Sequence, residues 1–391
     1  MSFSQSLSLT RNYDYDYRDL AIAFKAVAED KFGDKSLRGI RVSKLSFSRY
    51  GVFTVEFESG FRKRASSVLG SVEIKNLPGY FVVCHKEAPT ISACEIPRDR
   101  LPEVEKFLDT IGTYLDKNSI YRGKALKLSL GGLEFLDLSS FSFSEKEVVY
   151  NPAVKRDLAA HLWAFIENPL LCAERGLPKQ HKVLLQGAYG SGKTLTAYVL
   201  AKKATKCGWT VIYVAPSIMK EVSLIPYAFE LSRFYPPAVI FIEDADHEQH
   251  EESPFVFRQI VAQLDGIDTK GFRGLVVMTT TRSKNIKAVM QRPGRIDKAI
   301  KLDTFDEKDI KALLQIAIKP ELLEEGIDWD EVVARCHNFS PAFVKAVAEN
   351  ANFLAIGENA PKITQEHLMS ATEDLRPRFD SCIQDLGLDR E

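Results

Sequence analysis

Eight residues constrain this chain more than any others: Gly187-Ala188-Tyr189-Gly190-Ser191-Gly192-Lys193-Thr194. They follow a short apolar run, KVLLQ, and open a stretch with helical patterning, TLTAYVLAKKA. A G-x-x-x-x-G-K-T run between a strand and a helix is a phosphate loop. Its glycines let the backbone wrap phosphates with N–H groups, and the start of the helix favours negative charge. Lys193 is expected to reach the β- and γ-phosphates, and the Thr194 hydroxyl to ligate Mg²⁺. The cradle is read as Gly187 through Leu195, with ATP and Mg²⁺ as the cofactors.

The surrounding pattern fits that loop. Short apolar runs (KVLLQ, WTVIYVAP, AVIFIED, GLVVMTT, AIKLDTF) alternate with helical stretches. Such alternation predicts an α/β fold, a parallel sheet with helices on both faces. From about residue 305 the chain turns helical, with EKDIKALLQIAIK, DWDEVVARC, SPAFVKAVAENANFLAI and TQEHLMSATEDL. The expected organisation is a large α/β domain over 145–304 and a small all-helical lid over 305–391.

The strand AVIFI delivers Glu243 and Asp244 to its carboxyl end. Beside a phosphate loop the first such acid acts on the Mg²⁺ sphere, so Thr194 and Glu243 are the candidate metal-side groups. The second acid orients or deprotonates the attacking water, which assigns Asp244 that role. The order Glu-Asp lengthens the metal-side acid by one methylene and shortens the water-side acid by one. A misplacement of about 1 Å can cost ~100-fold in rate. The sequence is therefore compatible with a working ATPase and with a site that mainly binds and switches.

The first 140 residues read as an α+β domain without recognisable chemistry. RDLAIAFKAVAEDKF and LPEVEKFLDTIGTYLDK carry helical apolar stripes, and GVFTVEFESG and GYFVVCHKE read as strands. KALKLSL and LEFLDL, separated by Gly131-Gly132, are further strands assigned to this domain, and polar residues 139–147 are a candidate linker. The expected role is recognition of a partner or client, or assembly. The chain is 45% apolar and 27% charged, which excludes a disordered composition. Its formal net charge of −1 gives no footprint for nucleic acid, and Arg62-Lys63-Arg64 is too short to change that. Six scattered cysteines without a CxxC spacing fit reduced thiols. The opening MSFSQSLSLTRNYDYDYRD lacks the pattern of a signal peptide, and no apolar run approaches the ~20 residues of a membrane helix. The expectation is a cytoplasmic protein without membrane attachment.

With both motifs placed, the region from about 145 onward resembles the AAA ATPases, the main clade of the AAA+ superfamily. NPLLCAERGLPKQHKVLLQG is similar to the family's entry into the phosphate loop, and IVAQLDG to its helix ending Leu-Asp-Gly. LVVMTTTRSKNIKAVMQRPGRIDKAIKL resembles the second region of homology, NFSPAFVKAVAENA the lid helix, and KITQEHLMSATEDLRP the closing helix. The resemblance implies arginine fingers at Arg292 and Arg295, acting on a neighbouring subunit's nucleotide. By analogy with GTPases such an arginine can be worth 10³–10⁵ in rate. It also implies self-assembly into a ring, hexameric by the family norm, because head-to-tail contacts close by rotation. Val149 and Tyr150, just before the first helix of the module, are candidates for packing on the base; either could equally be a core residue.

The departures from the family matter too. Thr281 stands where an Asn usually serves as the first sensor, and Ser340-Pro341-Ala342 replaces Ser-Gly-Ala in the lid. The segment APSIMKEVSLIPYAF lacks the aromatic pore loop; Ile218, Met219 and Lys220 are its candidate tip. His247-Glu248-Gln249-His250-Glu251-Glu252 falls where the family has a second channel-lining loop, and reads as that or as a solvated loop rather than a metal site. The Glu-Asp order is similar to the mitochondrial branch that moves a folded iron–sulfur subunit. Three functions compete: a ring ATPase that remodels, unfolds or translocates a protein client; a nucleotide-gated scaffold with slow hydrolysis; and a ring ATPase associated with nucleic acid.

Overall fold

The structure is a computed structural model that describes residues 6–33, 36–39, 53–60, 63–85, 88–130, 132–139, 148–218, 224–245, 260, 274–281, 295–302 and 305–385. Its first part holds strand β1 (Leu7–Asn12), helix α1 (Tyr17–Phe32), strands β2 (Leu37–Gly39), β3 (Phe53–Gly60), β4 (Lys63–Ile74), β5 (Tyr80–His85) and β6 (Ala88–Ile96), and helix α2 (Leu101–Asn118). The sheet runs β1-β6-β5-β4-β2, antiparallel throughout, with β3 paired to β4. Both helices form where the stripes predict. Asp16 caps α1 by accepting from the Arg18 amide, and Gly33 ends it at φ 91°, a backbone that glycine adopts without Cβ conflict. The two stripes, through Leu20, Phe24 and Val27 and through Val104, Phe107, Leu108, Ile111 and Leu115, are buried. Phe24, Phe81 and Phe107 pack together with ring centroids 5.5–5.9 Å apart.

The second part begins earlier than the sequence suggests. Strands β7 (Ala125–Ser129) and β8 (Gly132–Phe135) were expected in the N-terminal domain, but they belong to the large sheet. That sheet adds helix α3 (Pro152–Leu158), a π-helical turn at 159–163, short helices α4 (Ala164–Glu167) and α5 (Pro169–Glu174), strand β9 (Gln180–Gln186), helix α6 (Lys193–Lys206), strand β10 (Thr210–Val214), helix α7 (Leu224–Phe234), and strands β11 (Ala238–Ile242), β12 (Gly274–Thr280) and β13 (Lys298–Lys301). The strand order is β13-β9-β12-β11-β10-β7-β8. All neighbours are parallel except the hairpin pair β7 and β8. The domain boundary at 140 is thus corrected: the chain enters the large sheet at 125. Strand-like sequence identifies a strand but not the sheet it joins, because hydrogen-bond partners are tertiary.

Side chains alternate across the sheet with period two. Val183, Leu185, Val211, Val239, Phe241, Val277 and Ile300 face α3, α4 and α6. Leu184, Ile212, Val214, Ile240, Ile242, Val276 and Met278 face α7 and share one continuous core with the N-terminal part. The lid follows as helices α8 (Glu307–Ala317), α9 (Trp329–Arg335), α10 (Pro341–Gly357) and α11 (Gln365–Asp385). Asp306 and Asp309 form a capping box that starts α8, and Pro341 occupies the first turn of α10, where its missing N–H costs nothing. The lid has a hydrophobic core of its own, including Leu314, Val344, Val347, Leu368 and Phe379. No helix among the described residues is long and apolar enough to cross a membrane.

Candidate functional site

β9 carries the chain to Gln186, and the loop turns back at once. The Gly187 amide donates to the Thr280 carbonyl at 3.2 Å and the Ser191 amide to the Ala188 carbonyl at 3.2 Å. Gly190 and Gly192 hold φ of 77° and 94°, left-handed values that favour glycine. A Cβ on Gly187 would sit 2.4 Å from the Ser191 hydroxyl, and one on Gly190 would sit 2.6 Å from the Ala342 Cβ. The cradle therefore has no room for side chains at these two points. Lys193 opens α6, and its buried ammonium donates to the carbonyls of Gly187 at 2.8 Å and Ala188 at 3.0 Å. It also lies 5.6 Å from the centre of the Tyr189 ring, which is 54% exposed. A buried cation held by neutral carbonyls at a helix N-terminus suits an incoming polyanion.

Next to it, the Thr194 hydroxyl donates to Glu243 Oε1, and the Tyr213 hydroxyl donates to Glu243 Oε2. Burial and the adjacent carboxylate push the Tyr213 phenol far above its ordinary range, so it stays a donor. A hydroxyl and a carboxylate are the hard oxygen ligands that Mg²⁺ takes. Asp244 follows with φ 46°. Asp and Asn tolerate this left-handed region far better than longer acids do, which gives a backbone reason for aspartate at the second position. Its amide donates to the Thr279 hydroxyl at 2.7 Å.

These groups open onto a cavity of about 570 Å³. The phosphate loop, Thr194, Leu195 and Asp244 line one side. Val148 and the lid residues Leu313, Ile316 and Ala317 form an apolar end, and Pro341, Ala342 and Lys345 close over the loop. A polyanion cradle joined to an apolar slot of this size fits a nucleotide's phosphates and base.

Comparison with known proteins agrees with this architecture. Residues 183–304 match the model of the ATPase family associated with various cellular activities (AAA), and residues 326–370 match the AAA+ lid domain. This region belongs to the AAA family. The chain is 26% identical over 227 residues to the proteasome-activating nucleotidase of Methanoregula boonei, covering 55% of this chain and 52% of that one. It is 27% identical to the 26S proteasome regulatory subunit 4 homolog of Schizosaccharomyces pombe, covering 53% and 49%. It is 28% identical to the ATP-dependent zinc metalloprotease FtsH of Mesoplasma florum, covering 51% and 32%. The match thus spans about half of the first two relatives and about a third of the last.

Within the AAA module the structure gathers Tyr189, Gly190, Gly192, Lys193, Thr194, Leu195 and Asp244 around the cavity, with Gly187, Ala188, Ser191 and Glu243 directly behind them. Thr281 sits half-buried at the end of β12, next to Thr280, whose carbonyl receives the Gly187 amide. Arg295 lies just before β13 and is not among the residues lining the cavity, whereas Arg292 lies outside the described residues. So do Met219, Lys220 and the His247–Glu252 run; for Ile218 only the backbone is described.

Of the two readings open for Val149 and Tyr150, the core one holds for Tyr150. Val148, not Val149 or Tyr150, lines the cavity. The Tyr150 hydroxyl instead lies 3.0 Å from the Thr196 hydroxyl, and its ring packs on the core beneath α6. Sequence reading also missed Tyr213 and Thr279. Both sit in apolar strand runs, and nothing in the alternation separates a polar tip that reaches the site from one that completes the core.

Proposed function

We propose that this chain binds ATP with Mg²⁺ in the cavity and hydrolyses it. Working as a homo-oligomeric ring, with six subunits by the family norm, it remodels, unfolds or translocates a protein client. The convergence of Lys193, the Thr194–Glu243 pair and Asp244 on one cavity under the lid carries the reading. In it, Lys193 exchanges its carbonyl partners for phosphate oxygens, and the α6 amides meet the same charge. Thr194 and Glu243 would hold Mg²⁺, which when bound supplies charge to neutralise the phosphates. Asp244 orients and deprotonates the attacking water. Thr281 adds a hydroxyl donor beside it.

Arg292 and Arg295 act in trans on the neighbouring subunit's site, which makes the ring necessary for turnover. The names of the relatives, a proteasome-activating nucleotidase and a proteasome regulatory subunit, support a protein client. The N-terminal α+β part is the proposed recognition unit. The described cysteines are unpaired, which fits a cytoplasmic setting.

The Asp244→Asn variant tests this reading: it should keep ATP affinity in calorimetry while phosphate release stops, and its trapped complexes should retain protein clients. Phosphate release equal to the unmutated chain would remove Asp244 from the water-side role. A second reading, a nucleotide-gated scaffold, is favoured by the Glu-Asp order. It gains if the unmutated chain binds ATP but turns over no faster than Asp244→Asn. Mixing Arg292→Ala subunits with unmutated ones should depress activity more steeply than in proportion; strict proportionality would argue against action in trans.

A further inference from the structure

We propose that Tyr213 is a positioning residue that lets a glutamate serve as the metal-side acid of this site. The proposal rests on the ATPase reading above and concerns how the Glu-Asp order is accommodated. Glu243 has one more rotatable bond than aspartate and more rotamer freedom to lose on being fixed. Placed at the end of a strand, it needs a second anchor to hold its carboxylate against Thr194.

Tyr213 supplies that anchor. In the β10–β11 register it is the partner of Phe241, two residues before Glu243. Residues two apart on a strand share a face, so Tyr213, Phe241 and Glu243 lie on one side of the sheet. The Tyr213 ring stacks on Phe241 at 6.0 Å with a 22° tilt. Ala197 and Ala201 of α6 and Leu136 wall the same narrow space. Packing fixes where the ring lies, and the ring fixes where its hydroxyl points. With Thr194 on Oε1 and Tyr213 on Oε2, each oxygen of Glu243 has its own donor. An aspartate at 243 would end one methylene short, out of step with a phenol placed for the longer acid. The left-handed backbone at Asp244 favours the shorter acid at the second position. Tyr213 and the Asp244 backbone therefore explain the two halves of the inverted order separately.

The test is a double-mutant cycle in the full chain with Tyr213→Phe, Glu243→Asp and the pair. ATP affinity measured without Mg²⁺ should stay within about twofold in Tyr213→Phe, since the phenol does not touch the phosphate loop. The Mg²⁺ concentration for half-maximal ATP-induced thermal stabilisation should rise about three- to tenfold, and kcat should fall about tenfold with KM little changed. In the Glu243→Asp background the same Tyr213→Phe change should shift neither readout by more than about twofold. Urea unfolding of the nucleotide-free chain gives an independent arm. Tyr213→Phe should weaken the folding equilibrium about tenfold beside Glu243 and far less beside Asp at 243, the worth of a hydrogen bond to a charged group. Equal effects in both backgrounds, or no effect on Mg²⁺ requirement and kcat, would overturn the role of Tyr213 while leaving the ATPase reading intact. Failure of the unmutated chain to bind ATP at all would overturn both.

Discussion

The large sheet has two neighbours, and it meets them in opposite ways. The N-terminal part is fused to it. One hydrophobic core runs from Phe24, Phe81 and Phe107 to Leu126, Leu128, Ile225, Phe229 and Tyr235. Polar groups are buried along the seam: the Asp16 amide donates to the Tyr235 hydroxyl at 2.7 Å, Tyr227 donates to Asp16 Oδ2 at 3.4 Å, and Arg122 reaches the Phe234 carbonyl at 3.4 Å. Arg18 of α1 donates to the Leu133 carbonyl in the β7–β8 hairpin at 2.7 Å. The lid, by contrast, keeps a separate core. Among the described residues, its polar contacts with the large part include the Ala342 amide on the Gly190 carbonyl at 3.1 Å and the Asn151 side chain on Asp306 and Asp309 at 3.3 and 3.1 Å. The cavity is lined by residues of both parts. A fused joint carries force from α7 to the N-terminal part, whereas a thin joint across a ligand site can change with what fills it.

The sharpest way to break this comparison is at the fused joint. Tyr235 is fully buried, with rings of Tyr15 and Tyr121 each 5.8 Å away. Tyr235→Ala should cost about 3–5 kcal/mol of stability, and the N-terminal part and sheet should lose structure in one transition. A urea melt in two steps, with ATP binding retained after the first, would show that the two parts are not one cooperative unit.

Asp19, in the same joint, sharpens the point through pH. It accepts from the Ser119 hydroxyl at 2.5 Å and the Ile120 amide at 3.1 Å, yet burial pushes its carboxyl up to about 7. The folded chain thus holds a proton that the unfolded chain releases near the ordinary aspartate value of 3.8. The associated stability is fully present below that value and is lost as pH rises through about 7, up to about 4 kcal/mol in all. Asp19→Asn, which does not titrate, should lack this slope. Urea midpoints from pH 4 to 8 would check it, and parallel curves for the two chains would exclude Asp19 as the source.

The two joints were not equally legible in sequence. The phosphate loop and acid pair were readable because their chemistry is fixed at short spacing. Helices α1 and α2 were readable because their buried stripes repeat at helical period. The fused joint was invisible: KALKLSL and LEFLDL look like strands of any sheet, and only the parallel pairing of β7 with β10 assigns them. The lid-side slot was missed by one residue. Val148 and Val149 are adjacent apolar residues outside any helix or strand, so no periodicity in the sequence separates the one that lines the cavity from its neighbour. Tyr213 was hidden for a related reason, since an aromatic in a buried strand signals core, not the hydrogen bond at its tip.

At the thin joint the expected effects are smaller and should appear in binding before folding. Gly190→Ala places a Cβ against Ala342 at a left-handed φ, a combination worth about 1–3 kcal/mol. Because the lid has its own core, the nucleotide-free melting temperature should move little while ATP affinity falls at least tenfold. A large drop in that temperature would mean the lid is built into the sheet after all.

The smallest effect belongs to Asn151. It caps α3 by accepting from the Ala153 amide at 3.0 Å and at the same time donates to the two acids that start α8. Asn151→Ala should cost about 1 kcal/mol through the lost cap. Asn151→Asp keeps the cap but sets a third carboxylate against Asp306 and Asp309. If the contact across the joint matters only weakly, the nucleotide-free chain should lose about 1 kcal/mol in Asn151→Ala and almost nothing in Asn151→Asp, whose effect should appear in ATP-induced stabilisation instead. The reverse pattern, a folding loss in Asn151→Asp that ATP does not alter, would mean that the thin joint is held by these side chains instead of by what occupies the cavity.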